Sequence, residues 1–134
     1  MVERLGSNMH VGPILGGAVA LLAAMTTSFG PAYGAGALAI GRCDRHGYSY
    51  DYPSSNAALT RALVECASEG DRTCQLVSEI AGGCAAFAVS GTCGPRGWGT
   101  ASSRPEAEAL ALGFCRQYGG GHCTIRRWVC DGGN

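Results

Sequence analysis

The segments ALTRALVECASEGDRTC (58–74) and AEALALGFCRQYGGGHC (107–123) are built to one plan. In each, Ala, Ala and Cys stand at i, i+4 and i+8, and a second cysteine follows after seven residues. That spacing puts three small side chains on one narrow helical stripe. Small residues let a helix lie close on a sheet. Cys66 and Cys74 meet Cys115 and Cys123 at a single offset of 49 residues, which predicts a duplicated half.

The same offset extends outward. Leu38-Ala39-Ile40 aligns with Phe87-Ala88-Val89. With one extra residue in the second copy, Gly41-Arg42-Cys43 aligns with Gly91-Thr92-Cys93, and Gly47 with Gly97. Each copy reads as an apolar strand, a turn, an aromatic strand, a helix and a third strand. The predicted strands are 37–42, 47–51 and 73–80, then 85–90, 97–100 and 122–129. Helices are predicted near 55–68 and 104–118. Ser54-Ser55-Asn56 offers caps for the first helix. Ser103-Arg104-Pro105-Glu106 reads as a capping box with proline in the first turn of the second. Leu59 and Leu63 are expected to widen the first stripe, Leu110 and Phe114 the second. The expected fold is α+β: two β-β-α-β units, about 35–81 and 84–130, with two helices packed on an antiparallel or mixed sheet system.

The chain before this region has a different character. Glu3 and Arg4 stand in a short polar start, and an apolar run follows from Ile14 to Met25. Twelve helical residues span about 18 Å, short of a hydrocarbon core of about 30 Å. That length suits the apolar region of an export signal, with Ala32-Tyr33-Gly34 as the small-residue cleavage site. Residues 1–34 are therefore expected to be a signal peptide and 35–134 the mature domain. Cleavage after Ala37 is the second choice, and an uncleaved anchor the competing reading. Export implies a secreted or periplasmic location, with no membrane span once the signal is removed.

All eight cysteines lie between Cys43 and Cys130, at a density near that of secreted disulfide scaffolds. Local bridges Cys66–Cys74 and Cys115–Cys123 are the natural pairing. Cys43 and Cys93 occupy equivalent turns and are expected to meet across the pseudo-two-fold. Cys84 and Cys130 remain, tying a strand start to the C-terminus, so that two bridges clamp the halves together. Eight cysteines permit 105 connectivities, so the pattern orders these choices without excluding the rest. Zinc is disfavoured, because no C-x2-C pair occurs. No cofactor is implied.

Ten arginines balance ten carboxylates, and lysine is absent. A neutral domain lacks the basic face that nucleic acid requires, and no polybasic segment suits an anionic membrane. His46 and His122 are the only histidines of the expected mature domain, and no nucleophile–base arrangement can be read. The chemically richer group is aromatic. Tyr48, Tyr50 and Tyr52 alternate along one predicted strand, and Trp98 stands on its counterpart. Thr124, Arg126 and Trp128 are expected to share one face of the last strand, with Arg127 opposite. Tyr, Trp and Arg are favoured at interaction surfaces. Tyr48, Tyr50, Tyr52, Trp98, Arg126 and Trp128 are therefore the candidate binding face, the alternative being that the rings fill the core.

Gly36-Ala37-Leu38-Ala39-Ile40, Gly47-Tyr48-Ser49-Tyr50, Tyr52-Pro53-Ser54, Cys74-Gln75-Leu76-Val77, Gly83-Cys84-Ala85-Ala86-Phe87-Ala88-Val89 and Trp128-Val129-Cys130 together resemble the bacterial domain of unknown function 4189 family. The likeness covers about residues 35–131. It implies a small exported domain without an established enzymatic activity, and no functional residue can be carried over. It also implies the Cys66–Cys74 and Cys84–Cys130 pairings, whereas Cys43 and Cys93 look additional. The expected role is a non-catalytic binding module for a protein or envelope component. A small envelope-directed hydrolase and a purely structural envelope protein are the alternatives.

Overall fold

The computed structural model describes residues 34–132; the expected signal segment before Gly34 lies outside them. The chain runs β1 (Ala35–Ile40), β2 (His46–Tyr52), α1 (Ser55–Cys66), β3 (Gln75–Ile80), β4 (Cys84–Ser90), β5 (Arg96–Ala101), α2 (Arg104–Gln117) and β6 (Cys123–Cys130). These are two β-β-α-β units. The strands form two three-stranded antiparallel sheets, ordered β2-β1-β3 and β5-β4-β6. The expected sheet system is thus divided between the halves, one sheet to each.

The central strands explain the layering. In β1, Leu38 and Ile40 point one way and Ala37 and Ala39 the other; in β4, Phe87 and Val89 oppose Ala86 and Ala88. Leu38, Ile40 and Ile80 pack against Ala85, Phe87, Val89 and Val129 in one core between the sheets. The alanine faces take the helices, Ala37 and Ala39 with Ala58, Ala62 and Cys66, and Ala86 and Ala88 with Ala107, Ala111 and Cys115. The order of layers is α1, sheet, sheet, α2. Across the middle, β2 lies against β6, β1 against β4, and β3 against β5, as a pseudo-two-fold requires.

Glycine sets the helix–sheet distance. A Cβ on Gly47 would strike the backbone of Ala62 and Cys66, and one on Gly97 that of Ala111 and Cys115. The two glycines occupy equivalent positions, so both helices sit on the same kind of bare track. The price of close packing is a thin apolar contact, because each stripe buries only two alanine methyls and a cysteine.

Cysteine bridges tie these layers. The local bridges Cys66–Cys74 and Cys115–Cys123 each join a helix end to the next strand or its approach. A loop of that size is worth about 2.5 kcal/mol in the chain-entropy account, more than two buried methyls at about 0.8 kcal/mol each. Cys43–Cys93 links the β1–β2 turn to the β4–β5 turn and so joins the two halves. Cys84–Cys130 does not clamp the halves, contrary to expectation. Cys84 and Cys130 are direct partners on β4 and β6, within one sheet. Four bridges belong to an oxidising, extracytoplasmic setting.

Three bulges change which face a side chain takes. β2 slips against β1 between Ala37 and Ala35, where Asp51 has φ 58°. β3 slips so that Leu38 faces Ser78 while Ala39 faces Leu76, leaving Val77 extra. β6 slips at the equivalent place, Phe87 facing Arg127 and Ala88 facing Ile125, with Arg126 extra. Among the described residues no helix is long and apolar enough to cross a membrane.

Candidate functional site

The six residues of the expected binding face do not come together. Tyr48 pairs with Leu38, faces the opposite sheet and packs on the central core. Tyr50 stacks on it, with ring centroids 6.5 Å apart. The Asp51 bulge turns Tyr52 to the other side, where it packs with Ala35 against the α1 layer. The Arg126 bulge likewise separates Thr124 from Trp128. Thr124 pairs with Val89 on the inter-sheet side, and Trp128 pairs with Ala86 on the α2 side. Trp128 lies beneath the Arg104 guanidinium, 3.7 Å from its ring centroid. Arg126 is ion-paired with Asp44 of the β1–β2 turn. Trp98 stands alone of the six, at the opposite edge from Tyr48, and is 39% exposed.

The two β2/β6 and β5/β3 crevices are equivalent by topology and differ in content. In the first, the Arg127 guanidinium lies 4.6 Å from the Tyr48 ring centroid. Arg127 Nε–H also donates to His46 Nε2 at 3.4 Å, while His46 Nδ1 lies 2.7 Å from the Asp44 carbonyl oxygen. This arrangement uses the neutral Nδ1–H tautomer, with one ring nitrogen donating and the other accepting. In the second crevice Trp98 replaces Tyr48 and Ser78 replaces Arg127. Ser78 is buried and accepts from the Thr100 hydroxyl at 2.8 Å. Beside Trp98, toward the start of β3, lies a cleft of about 210 Å³ lined by Ile40, Val77, Arg42, Thr73, Gln75 and Arg96.

On its other side Trp98 meets an exposed face of α2. Trp98, Phe114 and Tyr118 line one shallow depression, and Phe114 continues with Leu110 into the next. Leu110 and Phe114 were expected in the helix stripe and are instead exposed. The reason is angular. At 3.6 residues per turn, 110 and 114 fall on the flank opposite to the one that Leu59 and Leu63 occupy on α1. Their α1 counterparts at the common offset are Arg61 and Glu65, and the counterpart of Tyr118 is Glu69. One flank of the same fold is charged in the first half and aromatic in the second. Sequence reading missed this contrast, although the two helices laid side by side contain it.

Polar groups near the cleft are well tied. Asp71 accepts from the Thr73 amide at 2.7 Å, from the Thr73 hydroxyl, and from the Arg42 amide at 3.1 Å. The Thr73 hydrogen bonds first, and then the Arg42 amide and guanidinium, hold its carboxyl below the usual value against the opposing effect of desolvation. Arg96 donates to the Gly41 carbonyl and forms no ion pair with any described carboxylate.

Neither histidine meets a carboxylate. His46 is engaged as above, and His122 is exposed, its backbone amide donating to Ser90 Oγ at 3.3 Å. Among the described residues no group of three or more His, Cys, Asp or Glu side chains is placed to hold a metal ion. No curated protein matches the chain, and no solved structure does. One family model, described as a domain of unknown function (DUF4189), matches residues 33–130, a span that takes in all eight elements described above, and the chain belongs to that family.

Proposed function

We propose that the protein is a secreted or periplasmic, non-catalytic binding module, and that its binding face is centred on Trp98, Phe114 and Tyr118 rather than on the tyrosines of β2. One observation carries this reading. The flank of α1 equivalent to Leu110, Phe114 and Tyr118 is built from Arg61, Glu65 and Glu69, so the fold does not need apolar side chains there. Large rings retained in solvent where the fold accepts charges suit an interface. Trp, Tyr and Arg are also the residues that dominate binding energy at such faces. The hydrolase reading gains no comparable support, since neither histidine is oriented by a carboxylate.

The partner is expected among proteins or envelope components. A photo-crosslinking residue placed at Tyr118, and as a control at Arg61, tests this in intact cells. A discrete adduct from 118 that is absent from 61 is the expected result. Indiscriminate labelling, the same adduct from both sites, or no adduct from 118 overturns the proposal.

A further inference from the structure

We propose that the open cleft beside Trp98 is a binding site for a carboxylate carried on an apolar or aromatic body. The inference rests on the binding-module reading and names the chemistry that one part of its face recognises.

The pseudo-symmetry supplies the argument. Where Tyr48 has an arginine from its own chain over its ring, Trp98 has none, because Ser78 stands in the place of Arg127. The cleft beside that ring is about 210 Å³, below the size of a drug-sized pocket and suited to one residue-sized group. Its lower wall is apolar, from Ile40 and Val77, and its side is the exposed Trp98 ring. An apolar or planar body stacks there.

The charges select the head group. Arg96 is half-buried, spends one donor on the Gly41 carbonyl, and has no described carboxylate as partner. A guanidinium carries five donors in a planar fork, so most remain to be used. A partly desolvated cation without a counter-charge is costly, and a carboxylate bound in the fork removes that cost. Arg42 adds a second positive charge at the rim. Of the carboxylates near Arg42, Glu69 and Asp44 are ion-paired with Arg45 and Arg126, and the Asp71 oxygens already accept from Thr73 and the Arg42 amide. The cleft therefore remains net positive. Gln75, with no hydrogen-bonding partner among the described side chains, offers a further donor at the rim. A cationic ligand, which a bare tryptophan alone would attract, is repelled by the two arginines.

Titration of the oxidised protein with phenylacetate, followed by NMR at the Arg96 Nε–H and the two indole N–H signals, tests the site. Phenylacetamide is the uncharged control. A tripeptide ending in a free C-terminal phenylalanine, paired with its amidated form, distinguishes a chain end from a free acid. Saturable shifts at Arg96 and Trp98, with Trp128 unmoved and a Kd on the order of 1 mM, are expected for the acids. Amidation or Arg96→Gln is expected to weaken binding about tenfold or more. The stronger of the two acids identifies the source. Equal responses to acid and amide, shifts confined to Trp128, or no response at tens of millimolar overturn the cleft. The acid–amide comparison uses the unaltered protein, so it does not depend on a variant folding. A discrete Tyr118 crosslink with no acid response rejects the carboxylate site and leaves the binding face standing; loss of both rejects both.

Discussion

Single residues fix the tolerances of this fold. Gly97 faces the α2 backbone with no room for a Cβ, so Gly97→Ala is expected to cost about 1–3 kcal/mol by forcing helix and sheet apart. Gly113 lies on the same helix with nothing within 4 Å of an added Cβ, so Gly113→Ala is expected to stabilise by about 0.5–1 kcal/mol. Urea denaturation of the two variants reads opposite signs, and equal signs would reject the close-packing account. Asp71 makes a pH prediction. Its folded-state carboxyl titrates below the ordinary value, so its contribution is present above about pH 3.9 and is lost as pH falls through the folded-state value. Melting temperatures of Asp71→Asn and the parent protein should differ near neutrality and converge in acid; a gap that persists at the lowest pH contradicts this assignment. The caps show the limit of local reading. Ser54 accepts from the Ala57 amide at 3.3 Å, but Ser103 makes no such bond, and Ser102 instead donates to Glu106 at 2.9 Å.

At the scale of elements, the helices are held as much by covalent ends as by their buried faces. Removing Cys115 and Cys123 together by substitution with alanine is expected to cost about 2.5 kcal/mol, and removing Cys43 and Cys93 about 4 kcal/mol, because the second pair closes a loop spanning 50 positions. Chemical denaturation checks the ranking, and a smaller loss for the long loop would argue that the halves are held by the inter-sheet core alone. The exposed flank of α2 makes a separate prediction. Phe114→Glu with Tyr118→Glu copies the charges found on α1, so stability should change by no more than about 0.5 kcal/mol. A loss of several kcal/mol would return these rings to the core and remove the proposed face. Element order and the helical stripes were legible because they rest on periodicities within one segment. The bulges at Asp51, Val77 and Arg126 were not, because a bulge is a mismatch between two strands and a one-residue slip reverses every later face.

For the whole molecule, the two halves meet through one apolar layer, one bridge, the polar contacts of the two crevices and a short strap at the end of β6. The strap is Asp131, whose backbone accepts from the Asp51 amide at 3.1 Å and donates to Gly83, while its carboxylate accepts from Gly82. It ties the last residues of the second unit to the β2 bulge of the first. Intact mass after alkylation should show no reactive thiol in the native protein and eight after reduction in denaturant. Two or more native thiols would contradict the four-bridge structure. Among the described residues every buried side-chain polar atom finds a partner, so the thin core carries no unpaired polar group.

The sequence alone determined the α+β class, the two β-β-α-β units and the small-residue faces of both helices, because each depends on spacing along one stretch of chain. Tertiary structure decided that the units form separate sheets stacked face to face, and that Cys84–Cys130 lies within one of them. It also decided which rings are open. Tyr48 and Trp98 hold equivalent positions, yet one lies beneath Arg127 and the other stands exposed beside Val77 and Gln75. That difference arises from the strand across the crevice, and a residue's own segment carries no record of which side chain will face it from the opposite sheet.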